Sequence, residues 1–396
     1  MSLFEGLKVI DCASYIAAPA AATVLSDFGA DVIKTEPLTG DPYRTPGQPL
    51  PGSQQQVNPN WVMDSRNKKS LAINIAADEG RAILYKLAKE ADVFITNFPP
   101  NVRKRLRVAY EDISALNPRL IYASFTGYGE TGPEANKPGF DATVWWARSG
   151  LMDMVRASDT APVRSPPGAG DHPAAMGFYA AIVTALYRRE KTGTGAHVGS
   201  SLLANGLWAN ACSVQSALCG DFAQPHPPRS EHVMPWRNSF RCSDGKWLML
   251  SIVHNDGRWD TFRKTVQSPL LDDPRFQTTP DRREHGVALT STLDKIFAQK
   301  PLAEWSEILD RNGVVFGVCY TMADVPNDEQ AKVAGALVPT ADGSLMTVSS
   351  PFWIAEEEKI KPQTAPALGQ HNDEVLAAAG YDADAIAKLR SGGVVK

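Results

Sequence analysis

Cysteine is sparse in this chain and never paired by spacing. The five residues Cys12, Cys212, Cys219, Cys242 and Cys319 form an odd set without a CxxC, which argues against a disulfide frame and a thiolate zinc site and fits reduced thiols in the cytoplasm. Histidine is equally thin: the seven occur singly, with no HExxH and no close pair, so no metal centre is expected. No run of 18 apolar residues occurs, and the opening Met1-Ser2-Leu3-Phe4-Glu5-Gly6-Leu7-Lys8 has neither a basic leader nor an apolar core. A soluble, unexported protein is the expectation. Charge of one sign is also missing: 40 basic against 44 acidic side chains leave a net charge of −4 with no long basic block. Neither nucleic acid nor an anionic membrane is an evident partner.

At 396 residues the chain exceeds the size at which single cores stop growing, so two domains, or one domain with a large excursion, are expected. Short apolar runs at Leu7–Asp11, Asp31–Glu36, Val93–Thr96 and Leu120–Phe125 read as strands, and the stretches Ala17–Phe28 and Glu79–Ala91 as helices between them. This alternation predicts an α/β fold with a mainly parallel sheet covered on both faces. Ligands of such sheets bind beyond the carboxyl ends of the strands. Those places are occupied by Cys12–Pro19, Asn97–Pro100 and Thr126–Pro133. A long helix from Pro173 to Arg189 should stop at Gly193, followed by a strand at His197–Ser201 and a helix near Leu202–Ala217. The proline-dense Asp221–Ser230 reads as a linker, Arg241–Leu250 as a hairpin with a Ser-Asp-Gly turn, and a second crossing falls near Pro326.

Several familiar motifs fail on order. The run Gly193-Thr194-Gly195-Ala196-His197-Val198-Gly199 looks like a dinucleotide fingerprint but follows a helix and precedes a strand. The first strand-to-helix turn has no glycine, and neither a GxSxG elbow nor a P-loop is present. What remains is Asp171, in Pro166-Pro167-Gly168-Ala169-Gly170-Asp171-His172-Pro173. Glycines let the backbone approach a ligand there, and a helix opens where free N–H groups favour negative charge. The segment fits a carboxylate nucleophile, but taken alone it fits a plain N-cap with Pro173 in the first turn better, since most Asp residues before helices are caps. Lys68, Lys69, Arg103, Lys104, Arg105 and Lys137 read singly as solvated surface. Clustered on loops beside the cleft, they suit a ligand with several phosphates.

Across its length the chain resembles the class III CoA transferases, the formyl-CoA transferase and carnitine CoA transferase type. The resemblance is carried by Leu7–Asp11, Phe28–Pro37, Asn67–Leu71, Ile95–Phe98, Leu116–Ile121, Thr126-Gly127-Tyr128-Gly129-Glu130-Thr131-Gly132-Pro133 and Leu368–Leu376. It implies a large Rossmann-like parallel-sheet domain built from both chain ends (1–220 and 326–396), a smaller α+β domain at 221–325, and a homodimer interlocked like links of a chain. It also implies CoA transfer from an acyl-CoA to a carboxylic acid, through an aspartyl anhydride and an aspartyl-CoA thioester on Asp171, with CoA as substrate rather than resident cofactor. Tyr15, Ile16, Ile73, Asn97, Phe98, Arg105 and Leu106 fall at CoA-contacting positions, and Lys137 lies beside one. Two positions depart from the formyl-CoA transferase pattern: Pro37 replaces a basic residue, and Glu231–Asn238 stands where that enzyme has a glycine-run loop. Racemases of the superfamily pair the aspartate with a histidine, which here is Phe140, and a phenyl ring moves no proton. An acyl-CoA isomerase and a non-catalytic acyl-CoA-binding protein are the alternatives. His172, His232, Trp236 and Arg237 are candidates to touch the acyl group, and equally ordinary packing or surface residues.

Overall fold

The computed structural model describes residues 2–45, 58–222, 224–252 and 256–396. Two compact units emerge: Met1–Met152 with Arg164–Cys219 and Gln330–Lys396, and Asp153–Val163 with Gly220–Glu329.

The first unit is organised by six strands: β1 (Lys8–Cys12), β2 (Asp31–Glu36), β3 (Lys68–Ala72), β4 (Val93–Thr96), β5 (Ile121–Thr126) and β6 (Ala196–Ser201). They run parallel in the order β3-β2-β1-β4-β5-β6. Every residue of β4 and β5 is buried, as parallel strands covered on both faces must be. One face is covered by the helices Ala17–Asp27 and Asp171–Thr192, with Val9, Ile95, Ala123 and Phe178 in the shared core. The helix Ala17–Asp27 is wholly buried, which its small alanines allow by bringing its backbone close to both neighbours. Phe94 and Tyr122 on the opposite face pack with Leu84 of the helix Asp78–Ala88.

The strands read from apolar runs are present within a residue or so, but β3 was not anticipated. Its sequence, Lys-Lys-Ser-Leu-Ala, looks like loop, and Lys68 and Lys69 were expected among solvated cations. Lys68 is instead buried, its ammonium 2.9 Å from Asp11 Oδ2 on β1. Lys69 pairs with Asp31 and Glu374. The chain end closes this edge of the sheet: Asn372 Oδ1 accepts from the Ala72 amide and His371 Nδ1 from the Ser70 amide, while Ile73 bridges to Val395. A further difference is at Leu202–Ala217, where one helix was expected. Asn210 separates Leu202–Ala209 from Ala211–Leu218 and donates its side-chain amide to Ser149 O.

In the second unit the hairpin strands Ser239–Arg241 and Trp247–Leu250 are joined by the expected Ser-Asp-Gly turn, with Gly245 at φ +82°. Phe316–Cys319 adds a third antiparallel strand. The core gathers Phe240, Phe262, Phe297 and Trp305 from this sheet and from the helices Asp256–Val266, Gly286–Phe297 and Leu302–Arg311.

Candidate active site

The strand order reverses between β1 and β4, and a crevice forms beyond their carboxyl ends, where doubly wound sheets bind ligands. Asn97, just past β4, ties its two lips together: its Oδ1 accepts from the Ser14 amide at 3.0 Å and its Nδ2 donates to Ser14 O at 2.7 Å. Beside this point lies a cleft of about 490 Å³ lined by Cys12–Ser14, Thr35–Thr39, Ile73–Ala76, Phe98, Val102, Arg105 and Leu106. Its walls are largely apolar, and Arg105 stands exposed at the helix end Pro100–Leu106. Burial pushes the Cys12 thiol up to about 11, which keeps it protonated and unreactive at neutral pH.

Beneath the loop after β1 lies a set of buried charges of both signs. Lys34 reaches Asp41 at 3.1 Å and Asp11 at 3.7 Å, and donates to Ala13 O. Lys68 holds Asp11, while Arg44 grips Glu36 through two nitrogens at 2.6 and 2.7 Å and lies over the Trp61 ring. Asp41 Oδ1 accepts from the amides of Tyr15 and Tyr43. These bonds hold Tyr15 at φ +64°, a left-handed conformation uncommon outside glycine, with its ring set edge-on against Phe140 at 5.6 Å.

Asp171 is the first residue of the helix Asp171–Thr192, and its cap is Gly170. The expectation that Asp171 itself caps the helix is therefore overturned: no side chain caps this end, and among the described residues nothing hydrogen-bonds its carboxylate. A Cβ at Gly170 would sit 2.6 Å from the Trp145 ring, so only glycine lets the chain enter the helix at this place. The Gly170 amide donates to Asp141 Oδ2 and the His172 amide to Gly168 O, while Pro173 has no N–H. That leaves the Asp171 amide as the free donor of the first turn among the described residues. Asp141 begins a π-helical turn, Ala142–Arg148, and accepts from the Ala142 amide as well. Irregular turns of this kind recur at functional sites.

Electrostatics around Asp171 are lopsided. Burial, then the charge of Asp141 and last that of Asp64, push its carboxyl up to about 7, against an opposing pull from His172 that exceeds the push of Asp64. Asp64 ends the helix Pro59–Asp64 and accepts from His172 Nε2 at 3.0 Å and from the Tyr43 hydroxyl at 3.3 Å. Burial lowers His172, but the hydrogen bond and charge of Asp64 outweigh it and hold the ring above its ordinary value. Burial and Asp64 likewise raise Tyr43. Asp64, Tyr43 and Asp141 were not anticipated. A lone carboxylate in the apolar Trp61-Val62-Met63-Asp64 was the only signal.

The structure brings Ile73, Phe98, Arg105 and Leu106 to one cleft and puts Asn97 beside it as a brace. Tyr15 and Ile16 belong to the loop leading away from it, and a Cβ built on Gly168 would lie 3.7 Å from Ile16 Cδ1, placing that loop against the turn before Asp171. Lys137 is not among the lining residues; it is exposed, paired with Glu134 at 2.6 Å and set over Tyr128. The expected cluster of free cations dissolves further, since Arg103 is buried against Glu130. Trp236 is a core residue of the second unit, His232 accepts from the Met234 amide, and Arg237 is exposed. Among the described residues no group of three or more His, Cys, Asp or Glu is arranged to hold a metal ion. No helix among them is long and apolar enough to cross a membrane.

The family model for CoA-transferase family III matches residues 4–372. This chain belongs to CoA-transferase family III. It is 33% identical to (R)-2-hydroxy-4-methylpentanoate CoA-transferase of Clostridioides difficile over the whole of both chains. It is 32% identical to human succinyl-CoA:glutarate CoA-transferase, over 99% of this chain and 89% of that one. Among solved structures, a CAIB/BAIF family protein from Brucella suis matches with a TM-score of 0.85 and 28% identity, over 96% of this chain and 99% of the other. As a family III CoA-transferase, the protein acts on CoA thioesters, and its parallel sheet has six strands.

Proposed function

We propose that this protein moves CoA from an acyl-CoA to a carboxylic acid acceptor by covalent catalysis at Asp171. The observation that carries this reading is a partly buried carboxylate at a helix head, without a hydrogen-bonding partner among the described residues, in a chain of this family. An unpaired carboxylate keeps its lone pairs for attack, where a salt-bridged one does not.

In the first step an Asp171 oxygen attacks the thioester carbonyl carbon, the C–S bond breaks, and CoA leaves as thiolate, giving a mixed anhydride. The thiolate then attacks the aspartyl carbonyl carbon, expelling the donor's carboxylate and leaving Asp171 as a CoA thioester. An acceptor carboxylate attacks that thioester and releases thiolate; the thiolate takes the acceptor's acyl group and restores Asp171. Bonds and charge balance with no net proton transfer. The Asp171 amide is placed to meet the oxyanion of the aspartyl steps.

CoA is assigned to the switch-point cleft, with Ile73, Phe98 and Leu106 as apolar wall, Arg105 toward the phosphates, Asn97 as brace, and Tyr15 and Ile16 along the path toward Asp171. Lys137 would have to leave Glu134, an exposed surface pair, to join them. A homodimer of interlocked subunits is part of this reading. It is supported by apolar surface on the returning chain of the first unit, where Val333 and Trp353 are 82% and 78% exposed. A cytoplasmic setting is supported by five free cysteines.

The test is a matrix of acyl-CoA donors with branched 2-hydroxy acids and dicarboxylic acids as acceptors, followed by mass spectrometry of the CoA esters. CoA should move in at least one pair and fail to move in Asp171→Ala. Exchange of the α-proton in deuterated water with no transfer in any pair would replace this reading by an isomerase.

A further inference from the structure

We infer that His172 is a fixed imidazolium whose charge keeps Asp171 ionised for attack, a positioning role that rests on the reading of Asp171 as the nucleophile. Both ring nitrogens face acceptors: Nδ1 lies 3.1 Å from Gly168 O and Nε2 lies 3.0 Å from Asp64 Oδ1. A carbonyl oxygen has no proton to give, and the second oxygen of Asp64 already accepts from Tyr43. A neutral imidazole would aim one lone pair at an acceptor, so the geometry calls for a proton on each nitrogen.

The surroundings are built to hold the ring this way. Gly168 adopts φ +74°, and a Cβ on it would come within 3.0 Å of Nδ1. A cation in the first turn of a helix opposes the helix field, so the ring depends on Asp64 for its charge. The groups facing this pair from each packed element are Asp64 and Tyr43, Asp141 at the start of the π-helical turn, Asp171 itself, and Lys68 acting on Asp64 from β3. Two carboxylates, Asp141 and Asp64, thus flank the nucleophile position, and His172 is the cation that offsets the repulsion they exert on Asp171. The exchange chemistry needs no net proton transfer. A ring locked at both nitrogens cannot shuttle protons, but it supplies a constant charge.

Nitrogen-15 NMR of histidine-labelled protein tests this without substrate. At pH 7.5 His172, assigned by its loss in His172→Gln, should show two protonated nitrogens, and in Asp64→Asn it should become neutral; a neutral tautomer in the native protein would overturn the inference. Carbon-13 NMR of the Asp171 carboxyl should show its titration moving up by about 0.5–1 pH unit in His172→Gln, about three- to tenfold less carboxylate at pH 6. An unmoved titration would also overturn it. In the transfer assay the loss in His172→Gln should be greatest at pH 6 and shrink as pH rises, whereas an equal loss at every pH marks a merely structural ring. If Asp171→Ala retained transfer, the nucleophile reading would fail while both NMR results stood. The native protein and Asp64→Asn keep the test open should His172→Gln not fold.

Discussion

Two groups of buried charge lie in the same unit and behave in opposite ways. Under the first loop, the carboxylates of Asp11, Glu36 and Asp41 meet the cations Lys34, Lys68 and Arg44. Around residue 171, Asp64, Asp141 and Asp171 have His172 as their adjacent cation, which bonds Asp64 and not Asp171, while Lys68 acts on Asp64 from β3. Matched burial offsets each carboxylate with a cation and fixes a loop in an uncommon backbone conformation. Unmatched burial holds one carboxyl, Asp171, well above its ordinary range, and on the proposed reading that carboxyl is the nucleophile.

The difference can be broken from either side. Removing the unpaired carboxylate with Asp171→Ala should lower transfer by about 10⁴-fold or more, read in the donor–acceptor assay, with the fold and CoA binding intact. Removing a paired one should act on stability instead: Asp11→Ala strands buried Lys68 and should cost about 3–5 kcal/mol, measured by denaturant unfolding, with Asp171 chemistry untouched in whatever fraction remains folded.

Neutralising the nucleophile should stabilise the protein. Asp171 has a folded-state value near 7 against 3.8 unfolded, so the unfolded chain loses this proton first and stability falls as pH rises between those values. Asp171→Asn should therefore melt like the native protein near pH 4 and gain on the order of 1–3 kcal/mol by pH 8.5. A gain independent of pH would show that the site is not strained by charge. By the same titration the native transfer rate should fall as pH drops below about 7. The smallest effect is expected at the brace: Asn97→Ala removes two bonds to Ser14 and should cost about 1–2 kcal/mol of stability and raise the KM for CoA esters severalfold, leaving kcat nearly constant.

The sequence made the sheet legible where strands are apolar and β-branched, as at Asp31–Glu36 and Val93–Thr96, because burial on both faces leaves that mark. It hid β3, whose Lys68 is neutralised by Asp11, 57 positions away. Asp171 stood out from its Gly/Pro surroundings, but its role as a cap did not hold, since the helix enters through Gly170 one residue earlier. Asp64 and His172 lie 108 residues apart; no local pattern announces a partner supplied by the tertiary fold. The basic residues were read as a phosphate-binding cluster because cations look alike in a sequence. Their partners Glu130, Glu134 and Asp31 decide which remain free, and Arg105 is the one that lines the cleft.

The central claim is that Asp171 carries the transferring group, and acid-quenched peptide mass spectrometry after incubation with a panel of acyl-CoAs addresses it most directly. The expected result is a CoA thioester or acyl adduct on the peptide containing Asp171, absent from Asp171→Ala. Transfer of CoA without any adduct at Asp171, or an adduct on another residue, would contradict it.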